Sequence, residues 1–518
     1  MKDVETVREA SQTTLWAVLI FLFLLLVAAL LYLQQSASKA ELQNTLSRLK
    51  AAGEPLEWAA LGVNPEQTAS EGFEAWLIPL QEIKTENRRL EAKFPRPSAM
   101  PFQNPGVAVL STQLPAIHEA SAYQQKSSGN SSDKADKQIS WEDFIAEWAA
   151  SRKALDQAKK IFLEQEIRFP LGLQHGVEAP LDHISTQLDF AKALLADSLI
   201  ALRQKDLARL AENHRCFGKL GKFSDASPLM ISFLVDVTVE NIQHGLIWQQ
   251  LELGVGSDSD WAELAGILES YPEPLEKAAR ILRGERIMGY ITMQKILNRA
   301  KSRTGQPLDI TMLFGYTAAP PGLDGILAGI YSSLYRTFLS HADIRSILEF
   351  QQAQIEHLET HYSKWEYPRF MAELERLGII SGGHPFLNQY TLPMRKILED
   401  LTDSIFSQIY RHHTSRNLTR SALALERYRR QHRRYPDSLA DCCPQLLPQP
   451  LSDPYLSAPL QYRKRVEGRY LLYSLGENAT DEGGDPKMPS SRYYRWDRAL
   501  DVVWPQSTRQ HPALTPSP

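Results

Sequence analysis

Three cysteines in 518 residues, Cys216 and the adjacent pair Cys442 and Cys443, are too few for a disulfide framework. A bond between neighbouring cysteines is strained, and no Cys-x-x-Cys spacing occurs, so all three read as thiols and a structural zinc site is excluded. Catalytic signatures are also missing: there is no Gly-x-Ser-x-Gly, no Gly-Lys-Ser/Thr phosphate loop, no dinucleotide glycine fingerprint and no His-Glu-x-x-His. An active site assembled from distant residues would leave no such trace. No excess of positive charge is present either. The net charge of −4 removes the signature of a polycation, so nucleic acid is not the expected partner. Alternating β-branched runs are scarce between residues 139 and 411, which excludes a sheet-rich centre.

What the chain does have begins with one long apolar run. Leu15 to Leu33 is nineteen residues without a charge. As a helix it would cover about 28 Å, the thickness of a bilayer core. It is long for a signal peptide, and Leu30-Leu31-Tyr32-Leu33 offers no small-residue cleavage site. The expectation is an uncleaved transmembrane helix after a cytoplasmic tail at 1–14, with the bulk of the chain periplasmic and lipid as a partner through that one helix. Lys2 and Arg8 before the run nearly balance Lys39, Arg48 and Lys50 after it, so the short tail rather than the charge bias sets this orientation.

Leu42, Leu46 and Leu49 recur at helical spacing, and a second helix fits 73–93, so 34–94 reads as a helical stalk. Prolines at 95, 97, 101 and 105 and a polar tract at 124–137 mark 95–138 as a linker. Apolar stripes then support a run of helices over 139–415, packed in antiparallel pairs. Ser227-Pro228 reads as the start of one of them. His357 and His361 share a helix face at zinc-compatible spacing, but Leu358 stands where a metalloprotease helix needs glutamate. Arg283-Gly284-Glu285-Arg286 lies inside a helix. Its charges read as an ion-pair set or as a carboxylate clamp, and Gly284 as a mark of close helix packing.

Eight arginines (411, 416, 420, 427, 429, 430, 433 and 434) follow, opposed by one acid, Glu426. Leu418, Ala422, Leu425 and Tyr428 give the same helix an apolar face. The basic face is expected in solvent, with Arg427, Arg430 and Arg434 as candidate contacts to an anionic partner. Beyond it come Tyr435-Pro436-Asp437-Ser438-Leu439, Asp453-Pro454-Tyr455, Pro459-Leu460-Gln461-Tyr462-Arg463, Leu472-Tyr473-Ser474-Leu475-Gly476-Glu477-Asn478 and Asp501-Val502-Val503-Trp504. In order and spacing, these segments resemble the C-terminal domain of the major pseudopilins of type II secretion systems. The resemblance implies a helix end followed by a small antiparallel sheet over 416–506, with a disordered tail at 507–518. It also implies a calcium loop. Leu475 would give its backbone oxygen, Asp481 and Asp485 their carboxylates, and Asn478, in place of the usual aspartate, an uncharged amide. A glycine-bent acidic loop suits a hard cation, and the alternative is a solvated hairpin.

The marks of a pilin subunit are absent. Thr13-Thr14-Leu15 opens the apolar run without the preceding glycine or the early glutamate. With the Arg283–Arg286 segment, the chain also looks like large single-span bacterial envelope proteins of unknown role. The expected fold class is therefore mainly α, with an N-terminal transmembrane helix, a large all-helical domain and a small C-terminal α+β domain, located in the bacterial inner membrane. The expected function is a non-catalytic envelope scaffold or assembly protein with protein partners, linked to a type II secretion or pilus-like system. The alternative is an envelope hydrolase with its active site in the helical domain, which a buried, converging His/Asp/Glu cluster would favour.

Overall fold

The computed structural model describes residues 32–33, 35–93, 141–298, 332–361, 372, 376, 393–456, 458–465, 468–484 and 501–504. Ten helices carry the described residues: α1 (35–51), α2 (Glu71–Lys93), α3 (Trp141–Glu164), α4 (Asp182–Gln204), α5 (Leu207–Leu220), α6 (Met230–Glu252), α7 (Asp258–Glu269), α8 (Pro274–Leu297), α9 (Ser340–His361) and α10 (Pro393–His432). Five short strands follow: β1 (Ser452–Asp453), β2 (Ala458–Pro459), β3 (Gln461–Lys464), β4 (Tyr470–Ser474) and β5 (Val502–Val503). They form an antiparallel β1–β2 pair and an antiparallel sheet in the order β3-β4-β5.

The expected fold class is corrected on the membrane helix. The protein is mostly helical, but among the described residues no helix is long and apolar enough to cross a membrane. The run 15–33 lies outside the described residues except for Tyr32 and Leu33. The single-pass inner-membrane location fails on the same finding. The linker at 95–138 and the tail at 507–518 also lie outside the described residues.

Residues 35–93 do not stand apart as a stalk. Trp76, Leu80 and Ile83 of α2 sit in the main core with Phe162 of α3 and Phe190 of α4, with the Trp76 and Phe190 rings edge-on at 5.1 Å. Leu42 and Leu49 of α1 pack with Met293 and Ile296 of α8 and Ile344 and Ile347 of α9. The leucines that predicted α1 form a stripe that needs an apolar partner, and α8 and α9 supply it.

Residues 182–220 form two helices. Lys205 adopts a left-handed conformation and ends α4, and the Asp206 side chain accepts from the Arg209 amide to start α5. At the expected domain boundary, by contrast, there is no break. α10 runs unbroken for 40 residues through the boundary placed at 415/416. Its apolar face, with Leu418, Ala422 and Leu425, shares a core with Trp248 of α6, Trp261 of α7, and Leu460, Leu472 and Trp504 of the sheet region. The C-terminal sheet is thereby built onto the helical body.

Candidate functional site

Side chains of the loop expected to bind calcium have partners in this chain. Asp481 accepts from the Tyr473 hydroxyl at 2.9 Å and the Gly483 amide at 2.8 Å, and pairs with Arg463 at 3.2 Å. The Gly483 amide and the Tyr473 hydroxyl hold its carboxyl below the ordinary range. Asn478 donates to Glu482 at 2.8 Å, and the Leu475 amide donates to Asp453 at 2.8 Å. Asp485 lies outside the described residues. Among the described residues no group of three or more His, Cys, Asp or Glu could hold a metal ion.

The arginines of α10 are not a solvated strip. Arg427 pairs with Asp258 at the start of α7 at 3.0 Å. Arg430 lies over the Trp261 ring at 3.6 Å and donates to the carbonyls of Gly254 and Gly256. Both are fastened to the chain's own helix start, where the carboxylate and the ring hold them better than solvent does. Only Arg434 of the three candidates stays exposed, sharing Asp437 with Lys464.

The Arg283–Arg286 segment is a junction. Its reading as a carboxylate clamp holds for a carboxylate of this chain. Glu54, after α1, receives Arg283 at 2.9 Å and Arg286 at 2.5 Å. Burial opposes the charge on Glu54, but hydrogen bonds from the two guanidiniums prevail and lower its carboxyl to about 2. Gly284 gives the close approach read from its position: a Cβ there would meet the Pro228 carbonyl oxygen at 1.8 Å. Glu285 accepts from the Met230 amide at 2.6 Å and so caps α6, which begins at Met230 rather than beside Ser227-Pro228.

A buried polar constellation escaped the sequence reading. It lies in the seam between α6 and α10. Glu240, 1 % exposed, accepts from Arg416 at 2.8 Å and contacts His412 Nε2 at 3.1 Å. One turn along α6, His244 Nδ1 meets the Ser415 hydroxyl at 3.0 Å. The His244 and His412 rings are near-parallel with centroids 6.2 Å apart. Arg416 also lies over the Tyr271 ring, 5.3 Å away, and donates to the Pro272 carbonyl. Tyr271 donates to Gln243, whose amide reaches the His214 carbonyl. A second arm joins Lys277 of α8 to Asp236 at 2.8 Å, and Asp236 accepts from Gln187 at 2.7 Å.

Burial favours the neutral forms of Glu240, His244, Tyr271, His412 and His413, and partners decide the exception. At Glu240 burial is outweighed by Arg416 and His412, which hold the carboxyl far below its usual range. His244 has Glu240 nearby, yet burial lowers it to about 3; His413 falls to about 3 as well, with Arg416 adding to the effect. His412 is also lowered by burial, against the pull of Glu240. The signal that could have found the site is Glu240/His244 and His412/Arg416: polar residues four apart on two helices, hence one face of each.

Ser415 on His244 is the contact of a nucleophile with a base, and His412 on Glu240 that of a base with its orienting acid. Both pairs are enclosed. Ser415 is 5 % and His244 0 % exposed. Two crevices at the surface lie beside the seam. One is bordered by His214, Gln250, Asp260 and Glu263, the other by Glu269, Arg420 and Arg427. Neither is lined by Ser415, His244, His412 or Glu240. Comparison of the chain with protein-family models, with curated proteins and with solved structures found no match, so the pseudopilin resemblance stands on its own residues alone.

Proposed function

We propose that the chain is a non-catalytic scaffold or assembly protein: a helical body braced by buried ion pairs, bearing its C-terminal sheet as an interaction module. One observation carries the reading. Glu240 is sealed between His412 and Arg416 at 1 % exposure, so the group best suited to chemistry is spent on joining α6 to α10. Catalytic groups must touch a substrate, whereas bracing groups must not. The pseudopilin-like order of the terminal segments supports a role in assembling a secretion or pilus-like apparatus.

The hydrolase reading keeps one favourable observation, the 3.0 Å contact of Ser415 with His244. The two readings separate in one experiment. The full chain is treated with a fluorophosphonate probe, and Ser415→Ala is compared with the parent chain in labelling and thermal stability. The scaffold reading expects no label and a lowered melting temperature in the variant. Labelling that disappears in Ser415→Ala overturns it.

A further inference from the structure

The sheet ends, among the described residues, on β3, whose outer side faces no strand. The ladder fixes which residues point outward. Arg465 donates its amide to the Arg469 carbonyl at 2.8 Å, which makes that a hydrogen-bonded pair opposite β4. Antiparallel pairing alternates, so Arg463/Leu471 and Gln461/Tyr473 repeat the bond, while Tyr462 and Lys464 turn their N–H and C=O away from β4. The chain itself uses this outer side one residue earlier: the Leu460 amide donates to the Leu451 carbonyl at 3.1 Å, in line with the β1–β2 pair. That ladder stops at Pro450, which has no N–H, and Leu447 turns into the core with α10 instead of lying opposite Lys464. The outward polar groups of Tyr462 and Lys464 begin where the chain's own strand leaves off.

The surroundings are cationic. Arg463, Lys464 and Arg465 of the strand are exposed, and Arg434 is brought beside them by Asp437. Asp437 serves Arg434 and Lys464, and Asp481 serves Arg463. Asp441 is taken up by the amides of Asp437 and Ser438. The strand edge itself carries three consecutive cations, Arg463, Lys464 and Arg465, and among the described residues Arg465 pairs with no carboxylate while Lys464 shares Asp437 with Arg434. Two copies meeting edge to edge would bring like charges together, so the edge is closed to self-pairing and open to a strand of opposite sign.

We infer that the outer edge of β3 accepts an extended acidic segment of a partner protein as an added strand. The inference rests on the scaffold reading and names its partner class. Main-chain hydrogen bonds at Tyr462 and Lys464 set register, and alternate carboxylates meet the arginines and lysine. The test uses the full chain and a labelled decapeptide of alternating Glu and Val. Controls are the same peptide N-methylated at alternate residues, in each of the two registers, and a Lys/Val peptide. The Glu/Val peptide binds and slows amide exchange at Tyr462 and Lys464. One N-methylated register binds about tenfold more weakly, and the Lys/Val peptide does not bind. Lys464→Glu with Arg465→Glu also weakens binding about tenfold, without moving the melting temperature. Equal binding of both N-methylated peptides, protection elsewhere in the chain, or tighter binding to anionic vesicles or RNA overturns the assignment. Such a failure leaves the scaffold reading standing, since that is decided at Ser415.

Discussion

Gly284 and Glu54 are two single residues at which α8 is fitted to its neighbours. Gly284→Ala drives a Cβ into the Pro228 carbonyl, an atom that cannot swing aside. The expected loss is about 3 kcal/mol, the upper part of the usual overpacking range, read from the shift of a urea midpoint. Glu54→Ala strips the counter-charge from Arg286, which is 0 % exposed. A loss of about 3–5 kcal/mol follows, and the double variant Glu54→Gln with Arg286→Met recovers part of it, because an isosteric apolar replacement needs no partner. The close approach at Gly284 was legible in the sequence, since a mid-helix glycine costs stability that packing must repay. His244 and His412 were not. A histidine in a helix reads as a surface residue until its partner helix is known, and the partners are about 170 residues apart.

At the scale of elements, the start expected at Ser227-Pro228 falls short of α6, which begins at Met230, whereas α7 begins after Ser257, which closes a capping box with Asp260. The continuity of α10 through Thr414, Ser415 and Asn417 was hidden, because a run of polar residues looks like a break. Those residues are buried: Thr414 is 0 % and Asn417 3 % exposed, and Asn417 donates to the Ser452 carbonyl at 2.9 Å. The arginines misled for a related reason. Their partners, Asp258 and Trp261, lie far back in the chain. A fragment spanning 416–506 therefore loses Trp248, Leu251 and Trp261 from its core. It is expected to melt without a cooperative transition in circular dichroism, whereas the full chain melts with the sheet and body together. A fragment that unfolds cooperatively would show that the sheet has its own core.

For the molecule as a whole, the buried histidines make stability depend on pH. His183 and His214 are lowered to about 4, and His244 and His413 to about 3, in each case chiefly by burial. Each folded value lies below the unfolded value of about 6.5, so acid protonates the unfolded chain first. Their contribution is complete above pH 6.5 and is lost as the pH falls toward 4 and 3. Each histidine adds a slope of up to about 1.4 kcal/mol per pH unit in that window. The lowered carboxyl of Glu54 loses its contribution only below pH 4.5. Urea midpoints at pH 7.5, 6.5, 5.5 and 4.5 should be flat over the first interval and then fall steeply; a curve that stays flat to pH 4.5 would mean these rings are hydrated.

α10 also has a mechanical consequence. A rod of 40 residues is about 60 Å long, and it is rooted in the Glu240 seam at one stretch and in the sheet at the next. A tug on the C-terminal module has no hinge to absorb it there. It arrives as torque on Arg416 and His412, and the first contacts to rupture under load would be those that fasten the rod to α6.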